Sequence, residues 1–381
     1  MADSTSTAKP SKPYPDFPLY PHDTKRWAKK IKGRTHYFGP WDNWQAALER
    51  FQYENDYLQL GKTPPPRDAT ALTVGDMVNG MLEHKEALVR SGELAKRTWL
   101  NYQNTGKWLI DQLGRHASVQ CLTTSDFAKL RRALTDNVGL VSTKSEIVRA
   151  KVFFNYAYDN GLIEKPVATR KAFEQPKPVS LKREKESRAA KIFTIEELRT
   201  LYHAAGKSIQ AFMLLALNGG LGNSDIGQLE LRHIQANWII FPRPKTLVDR
   251  KFPLWVETIK AIETTKQNGS SLPLVFLTCR GAAWSNDSGE SAIKHEWWRL
   301  CKSTGLQQKG RGFYALHHTF RTVADGCRDQ VAINHIMGHS DDSMGAAYRE
   351  WIEPERLQAV VDHVYQWVKP MFRKPAKKAG M

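Results

Sequence analysis

The chain has 381 residues, 41% of them hydrophobic, with 12 Trp, 12 Tyr and 15 Phe. Such a length suggests two or three packed domains, and such a composition excludes a disordered polymer. The formal charge is +17 and the pI is near 9.6, an excess that favours a polyanionic partner, most simply nucleic acid. Four cysteines, Cys121, Cys279, Cys301 and Cys327, lie far apart and form no C-x-x-C pair. They are expected as reduced thiols of a cytoplasmic protein, in neither a disulfide frame nor a zinc site. The opening M-A-D-S-T-S-T-A-K-P has no basic-then-apolar pattern, and no run of 18 apolar residues exists. Neither a secretory signal nor a membrane span is expected.

In chain order, residues 1 to about 13 are small and polar and are expected to be disordered. In R-W-A-K-K-I-K-G-R-T-H-Y-F, Trp27 and Ile31 precede a turn at Lys32-Gly33, with Tyr37 and Phe38 beyond, which predicts a β-hairpin. Trp44, Ala47, Leu48, Phe51 and Leu58 then follow a helical spacing, and Gly61 is placed to end that helix in the left-handed conformation. This basic hairpin and helix, residues 14–63, make a first domain able to lay a sheet in a DNA groove; Lys29, Lys30 and Arg34 are its candidate contacts. P-P-P at 64–66 reads as a stiff linker.

From 70 to 165 the pattern is helical. Thr73 is placed to cap a helix with Met77, Met81 and Leu82, Thr98 another with Tyr102, Trp108 and Leu109, and Thr124 or Ser125 a third. A fourth carries Ile147, Val152, Phe153 and Tyr156 and stops at Gly161. Lys96, Arg97, Lys144 and Arg149 are the candidate phosphate contacts. Residues 166–191 hold Pro166, Pro176 and Pro178 and eight basic residues against three glutamates, the composition of an exposed basic linker.

The last domain, 192–368, opens on T-I-E-E, where Thr194 and Glu197 can form a capping box. A second helix runs through F-M-L-L-A-L-N, and Asn223 or Ser224 starts a short one. N-W-I-I-F-P-R-P-K-T-L-V-D-R-K-F-P-L-W reads as two strands joined by a loop, and L-P-L-V-F-L-T as a third strand. Helix returns from Ser291, and the basic tail 369–381 is expected to be mobile. His317 and His318 are adjacent, so on a helix they diverge by about 100° and make a poor metal pair. No Walker loop, G-x-S-x-G or H-E-x-x-H occurs.

The stretch M-G-H-S-D-D-S-M-G-A-A-Y resembles the active-site box of the tyrosine recombinases, the phage-integrase family: Gly338-His339 precedes Tyr348 by nine residues. The resemblance implies a fold that is mainly α with small β-sheets (α+β): an arm-binding N-terminal domain, a helical core-binding domain and a catalytic domain. It implies a metal-free phosphoryl transfer that needs no cofactor, in which Tyr348 would attack a DNA phosphodiester. His339 would hold the phosphate or assist the tyrosine, and Lys245, in P-R-P-K-T, would protonate the leaving oxygen. Double-stranded DNA is the implied partner, a homotetramer on DNA the implied assembly, and the nucleoid the implied location.

Two positions depart from the family. G-G-L-G-N-S-D-I puts Gly222 where the family has its first arginine, with Asp225 in place of a glutamate. Y-A-L-H-H-T-F puts Tyr314 at the family's histidine and His317 at its second arginine, while His318, Thr319 and Phe320 match. Arg321 completes a literal H-x-x-R out of register and is a candidate for nearby phosphate. Arg232, Arg243, Arg280 and Arg311 are candidate substitutes for the lost guanidiniums, Arg243 also a candidate DNA contact. Two functions follow: a site-specific recombinase with a divergent and slow active site, or a catalytically silent DNA-binding protein on the same fold.

Overall fold

The computed structural model describes residues 9–61, 63–64, 71–169, 171–187, 191–243, 248–266, 272–285, 291–340 and 343–374. The expectations for residues 1–8, for part of the P-P-P stretch, for Lys245 and for the end of the tail lie outside the described residues. The chain divides between residues 188 and 189 into two compact units. Among the described residues, no helix is long and apolar enough to cross a membrane.

The first unit opens with an antiparallel sheet of three strands, β1 (Tyr20–His22), β2 (Arg26–Ile31) and β3 (Arg34–Pro40), in that order. Ile31 pairs with Arg34 across a two-residue turn in which Lys32 and Gly33 both have positive φ, 49° and 82°. That handedness matches the twist of the strands, which is why Lys-Gly serves here. Strand β1 is an addition to the expected hairpin; its proline and short length carry no alternation to read. The inner face, with Phe17, Leu19, Trp27, Ile31 and Phe38, packs on α1 (Trp44–Gln59) through Ala47. Asn43 caps α1 by accepting from the Ala46 N–H, and Gly61 ends it at φ 71°.

Helices α2 (Val74–Arg90), α3 (Lys96–Leu113), α4 (Thr124–Asn137) and α5 (Leu140–Asp159) enclose Met77, Leu109, Phe127, Phe153 and Phe154. Thr73 caps α2 by accepting from the Asp76 N–H. Two caps fall elsewhere than expected. Ala95 takes the extended conformation, so α3 starts at Lys96 and Thr98 is already inside it. Helix α4 is capped from Thr123, whose N–H donates to Asp126.

The expected linker 166–191 is partly ordered. Residues Lys171–Phe173 form a 3₁₀ turn that drives Phe173 fully into the helical core, against Phe127 at 5.7 Å between ring centroids. Pro178 then opens α6 (Pro178–Glu186), where its missing N–H costs nothing. A carboxylate of α6, on Glu184, accepts from the Leu140 N–H.

The second unit is built around α8 (Lys207–Gly219), buried continuously from Ala211 to Gly219. It follows α7 (Ile195–Ala204), which starts at the expected Thr194–Glu197 capping box. The short α9 (Asn223–Gly227) leads to a second antiparallel sheet, β4 (Ile234–Gln235), β5 (Trp238–Ile240) and β6 (Lys251–Pro253). The expected third strand, L-P-L-V-F-L-T, joins no sheet. Its residues make only isolated bridges, Glu230 with Leu274 and Leu277 with Ala283. The third strand is β4, two residues long. Helices α10 (Val256–Thr265), α11 (Ala292–Ser303), α12 (Ala315–Ala324), α13 (Gln330–Met337), α14 (Met344–Ala347) and α15 (Pro354–Val368) complete the unit. The tail is ordered at its start: Lys369–Phe372 turn once more and bury Met371.

Candidate active site

Three elements of the second unit converge. The turn from α8 to α9 carries Gly220 and Gly222, α12 carries His317 and His318, and the end of α13 carries Gly338 and His339. His317 is buried on α12, and its Nδ1 donates a short hydrogen bond to the Gly220 carbonyl. Its ring centroid is 5.9 Å from that of His339 and 6.2 Å from that of His318. The His339 backbone N–H donates to the Asn334 carbonyl at 2.9 Å as α13 ends.

The hydrogen bond to Gly220 defines what His317 can do. A carbonyl only accepts, so Nδ1 carries the proton, and neutral His317 presents Nε2 as an acceptor. Burial, above all, pushes its pKa down to about 4; the nearby charges of Arg243 and His339 add to this, and the Gly220 bond and Asp225 oppose it. At neutral pH the ring at the second arginine position therefore offers a phosphate neither charge nor a second N–H.

The first arginine position is closed as well. Gly222 caps α9 in extended conformation, and its N–H donates to the Asp225 carboxylate at 2.9 Å. A Cβ at position 222 would lie 3.2 Å from the Tyr314 ring. That ring also stacks on His317, with centroids 4.5 Å apart and planes 22° apart. Tyr314 thus touches both positions that the resemblance aligns with the family's arginines.

Beneath this lies a buried ion pair that the sequence reading missed. Arg250, wholly buried, reaches Asp225 through Nη1 at 3.2 Å and Nη2 at 3.1 Å. Its Nε donates to the Phe241 carbonyl, and its guanidinium lies 4.8 Å over the Phe241 ring. The available signal was parity: Arg250, one residue before β6, is two residues from the inward-facing Phe252, and a cation on that face demands a buried acid.

Arg243 stands beside Gly338, at the end of α13. Its backbone N–H donates to Val248 O at 2.9 Å, closing the base of the β5–β6 connection. Its side chain lies along Gly338, and Nη1 is 3.4 Å from the Gly338 carbonyl. Gly338 has φ 63°, and a Cβ there would fall 2.8 Å from Arg243 Cβ, so glycine is required on both counts.

Other candidates are placed apart or otherwise engaged. Tyr348 follows α14 with 79% of its surface exposed. Lys245 lies outside the described residues. Arg321 is held by Asp325 at 2.8 Å, by Asn334 at 2.7 Å and by Gln330, so it ties α12 to α13. Arg311 is buried on Glu197 at 2.7 Å and over Phe193, and Arg232 is exposed with Glu230. Arg280 sits on an exposed turn. In the first unit, Arg149 bonds Thr105 and Glu146. Lys29 Nζ donates to the Pro18 carbonyl. Lys30, Arg34, Lys96, Arg97 and Lys144 are exposed.

Comparison with known proteins agrees with this architecture. Residues 191–352 match the sequence model of the phage integrase family. No curated protein sequence matches the chain. Among solved structures, a lambda integrase dimer bound to a COC' core site is 20% identical with a TM-score of 0.56, covering 90% of this chain and 99% of that one. A lambda integrase tetramer bound to a Holliday junction is 19% identical with a TM-score of 0.56, covering 89% and 99%. The Tn1549 transposon integrase in complex with circular intermediate DNA is 17% identical with a TM-score of 0.54, covering 76% and 99%. The fold is that of an integrase, α+β and mostly helical.

Proposed function

We propose that the protein is a DNA-binding, integrase-type recombinase that cleaves through Tyr348, with a chemical step slowed by its divergent phosphate site. The observation that carries this is the meeting of the His317 and His339 rings at the Gly338 cap, nine residues before Tyr348, inside the family-matched region. In the proposed step the Tyr348 phenolate oxygen bonds to phosphorus and the bond to the 5′ oxygen breaks. That oxygen takes a proton from Lys245, and a 3′-phosphotyrosine remains. A 5′-hydroxyl of a partner strand reverses the step on the new strand, so no nucleotide cofactor is consumed.

The net charge supports double-stranded DNA as substrate. Residues 14–63 would bind arm-type sites and residues 70–165 core-type sites, and four copies would assemble on the recombining duplexes. Lambda integrase, with the same fold, forms a tetramer on a Holliday junction. Removing one preorganised donor from such a site costs about 10²–10³ in rate, so a site without either family arginine works slowly unless another group takes their place.

A second reading, a silent DNA-binding protein, has its own observation: Tyr314 covers Gly222 and stacks on His317, which is neutral and donorless toward phosphate. The experiment is incubation with a library of nicked duplexes of randomised sequence, followed by recovery of SDS-resistant protein–DNA adducts. Adducts that vanish in Tyr348→Phe support cleavage. Sequence-selective retention of duplexes without any adduct supports the silent reading.

A further inference from the structure

We propose that Arg243 is the guanidinium with which this site grips a phosphate-class oxyanion, replacing from the β5–β6 connection what positions 222 and 317 no longer supply. The proposal rests on the cleavage reading above for its purpose, but not for its geometry. Arg243 lies against Gly338, next to His339, and its field reaches the His317 ring. It thus lies beside the Gly338 cap that leads into His339 and close enough to the pair of imidazoles to act on His317.

Its bonding separates it from the ion-paired arginines of this unit. Arg250, Arg311, Arg321 and Arg356 are each paired with an aspartate or glutamate. Those pairs spend the charge inside the fold. Among the described residues Arg243 has no carboxylate partner, and its one side-chain bond is the long contact from Nη1 to the Gly338 carbonyl. A guanidinium has five N–H donors in a rigid plane, suited to two oxygens of one phosphate. A half-buried guanidinium with most donors unspent, beside two imidazoles, has the chemistry of an oxyanion receptor. Its stem is also indexed to the site: the Gly338 contact and the Val248 bond fix where the side chain begins.

The position explains a pairing in the sequence. Gly338 is needed by its positive φ, but its lack of a Cβ also lets Arg243 pass alongside to the histidines. Neither feature depends on Lys245, which would act on the leaving oxygen and not on the non-bridging ones.

The test uses inorganic orthovanadate, a tetrahedral oxyanion analogue of phosphate, titrated calorimetrically into the full chain. One site is expected, and Arg243→Met should weaken it by about tenfold or more, as loss of a charge-assisted pair does. Arg243→Lys, which keeps the charge but not the fork, should fall between. Arg232→Met, at an exposed arginine paired with Glu230, should bind as the unaltered chain does. Thermal unfolding of each variant separates lost binding from lost fold, and Arg243→Lys reports on the site if Arg243→Met is unstable. Equal binding by a folded Arg243→Met, or no vanadate site in the unaltered chain, overturns the proposal. Arg243-dependent binding without any DNA adduct leaves this inference standing and sinks cleavage. Adducts formed at full rate by Arg243→Met do the reverse.

Discussion

Replacing His317 by glutamine should remove most of one pH dependence from the stability of the second unit. The unfolded imidazole titrates at its ordinary value of 6.5, whereas burial holds the folded one to about 4. At intermediate pH the unfolded chain therefore binds a proton that the folded chain refuses. Stability is greatest above the unfolded value and is lost as pH falls through the window between the two; below the folded value no further loss arises from this group. From about pH 7.5 to about pH 5 the linkage integral comes to about 2 kcal/mol. His317 is 5% exposed, so solvent screening discounts little of this. Glutamine keeps a donor for the Gly220 carbonyl and does not titrate. The assay is urea unfolding of both proteins at both pH values, read as a double difference so that carboxylates common to both cancel. A His317→Gln protein that loses as much stability on acidification as the unaltered chain would refute the argument. So would a histidine NMR spectrum showing His317 protonated near pH 6.

Two further outcomes are expected. Gly222→Arg together with His317→Arg should raise the rate of adduct formation little while Tyr314 stays, because a Cβ at 222 meets its ring at 3.2 Å; adding Tyr314→His should raise it by at least the roughly 10²–10³ that one recovered donor supplies. Phe173→Ala should destabilise the first unit by about 3–5 kcal/mol in chemical unfolding, whereas Val179→Ala, at a position 61% exposed, should change little.

Much of the local structure was legible because caps and turns are chemical statements about one or two residues. Thr73, Thr194, Gly61 and Lys32-Gly33 each do in the fold what their side chains or backbone freedom permit. What escaped lacks periodicity. Phe173 is one aromatic in a stretch of prolines and lysines, and nothing nearby says that it is buried. Strand β4 is shorter than one alternation. In the site, the motif places His317, His318 and His339 in one neighbourhood but cannot say which ring is buried or which nitrogen holds the proton; that follows from the Gly220 carbonyl, about a hundred residues away in sequence. Arg321, expected near phosphate, is consumed by Asp325, Gln330 and Asn334 on its own and the next helix. Arg250 was overlooked because a strand of basic residues reads as surface until its parity is checked.

The Tyr314 ring bears on any reworking of the site. It abuts position 222 on one side and lies flat on His317 on the other. One side chain therefore couples two positions that are far apart in sequence, and substitutions at 222, 314 and 317 are expected to be non-additive.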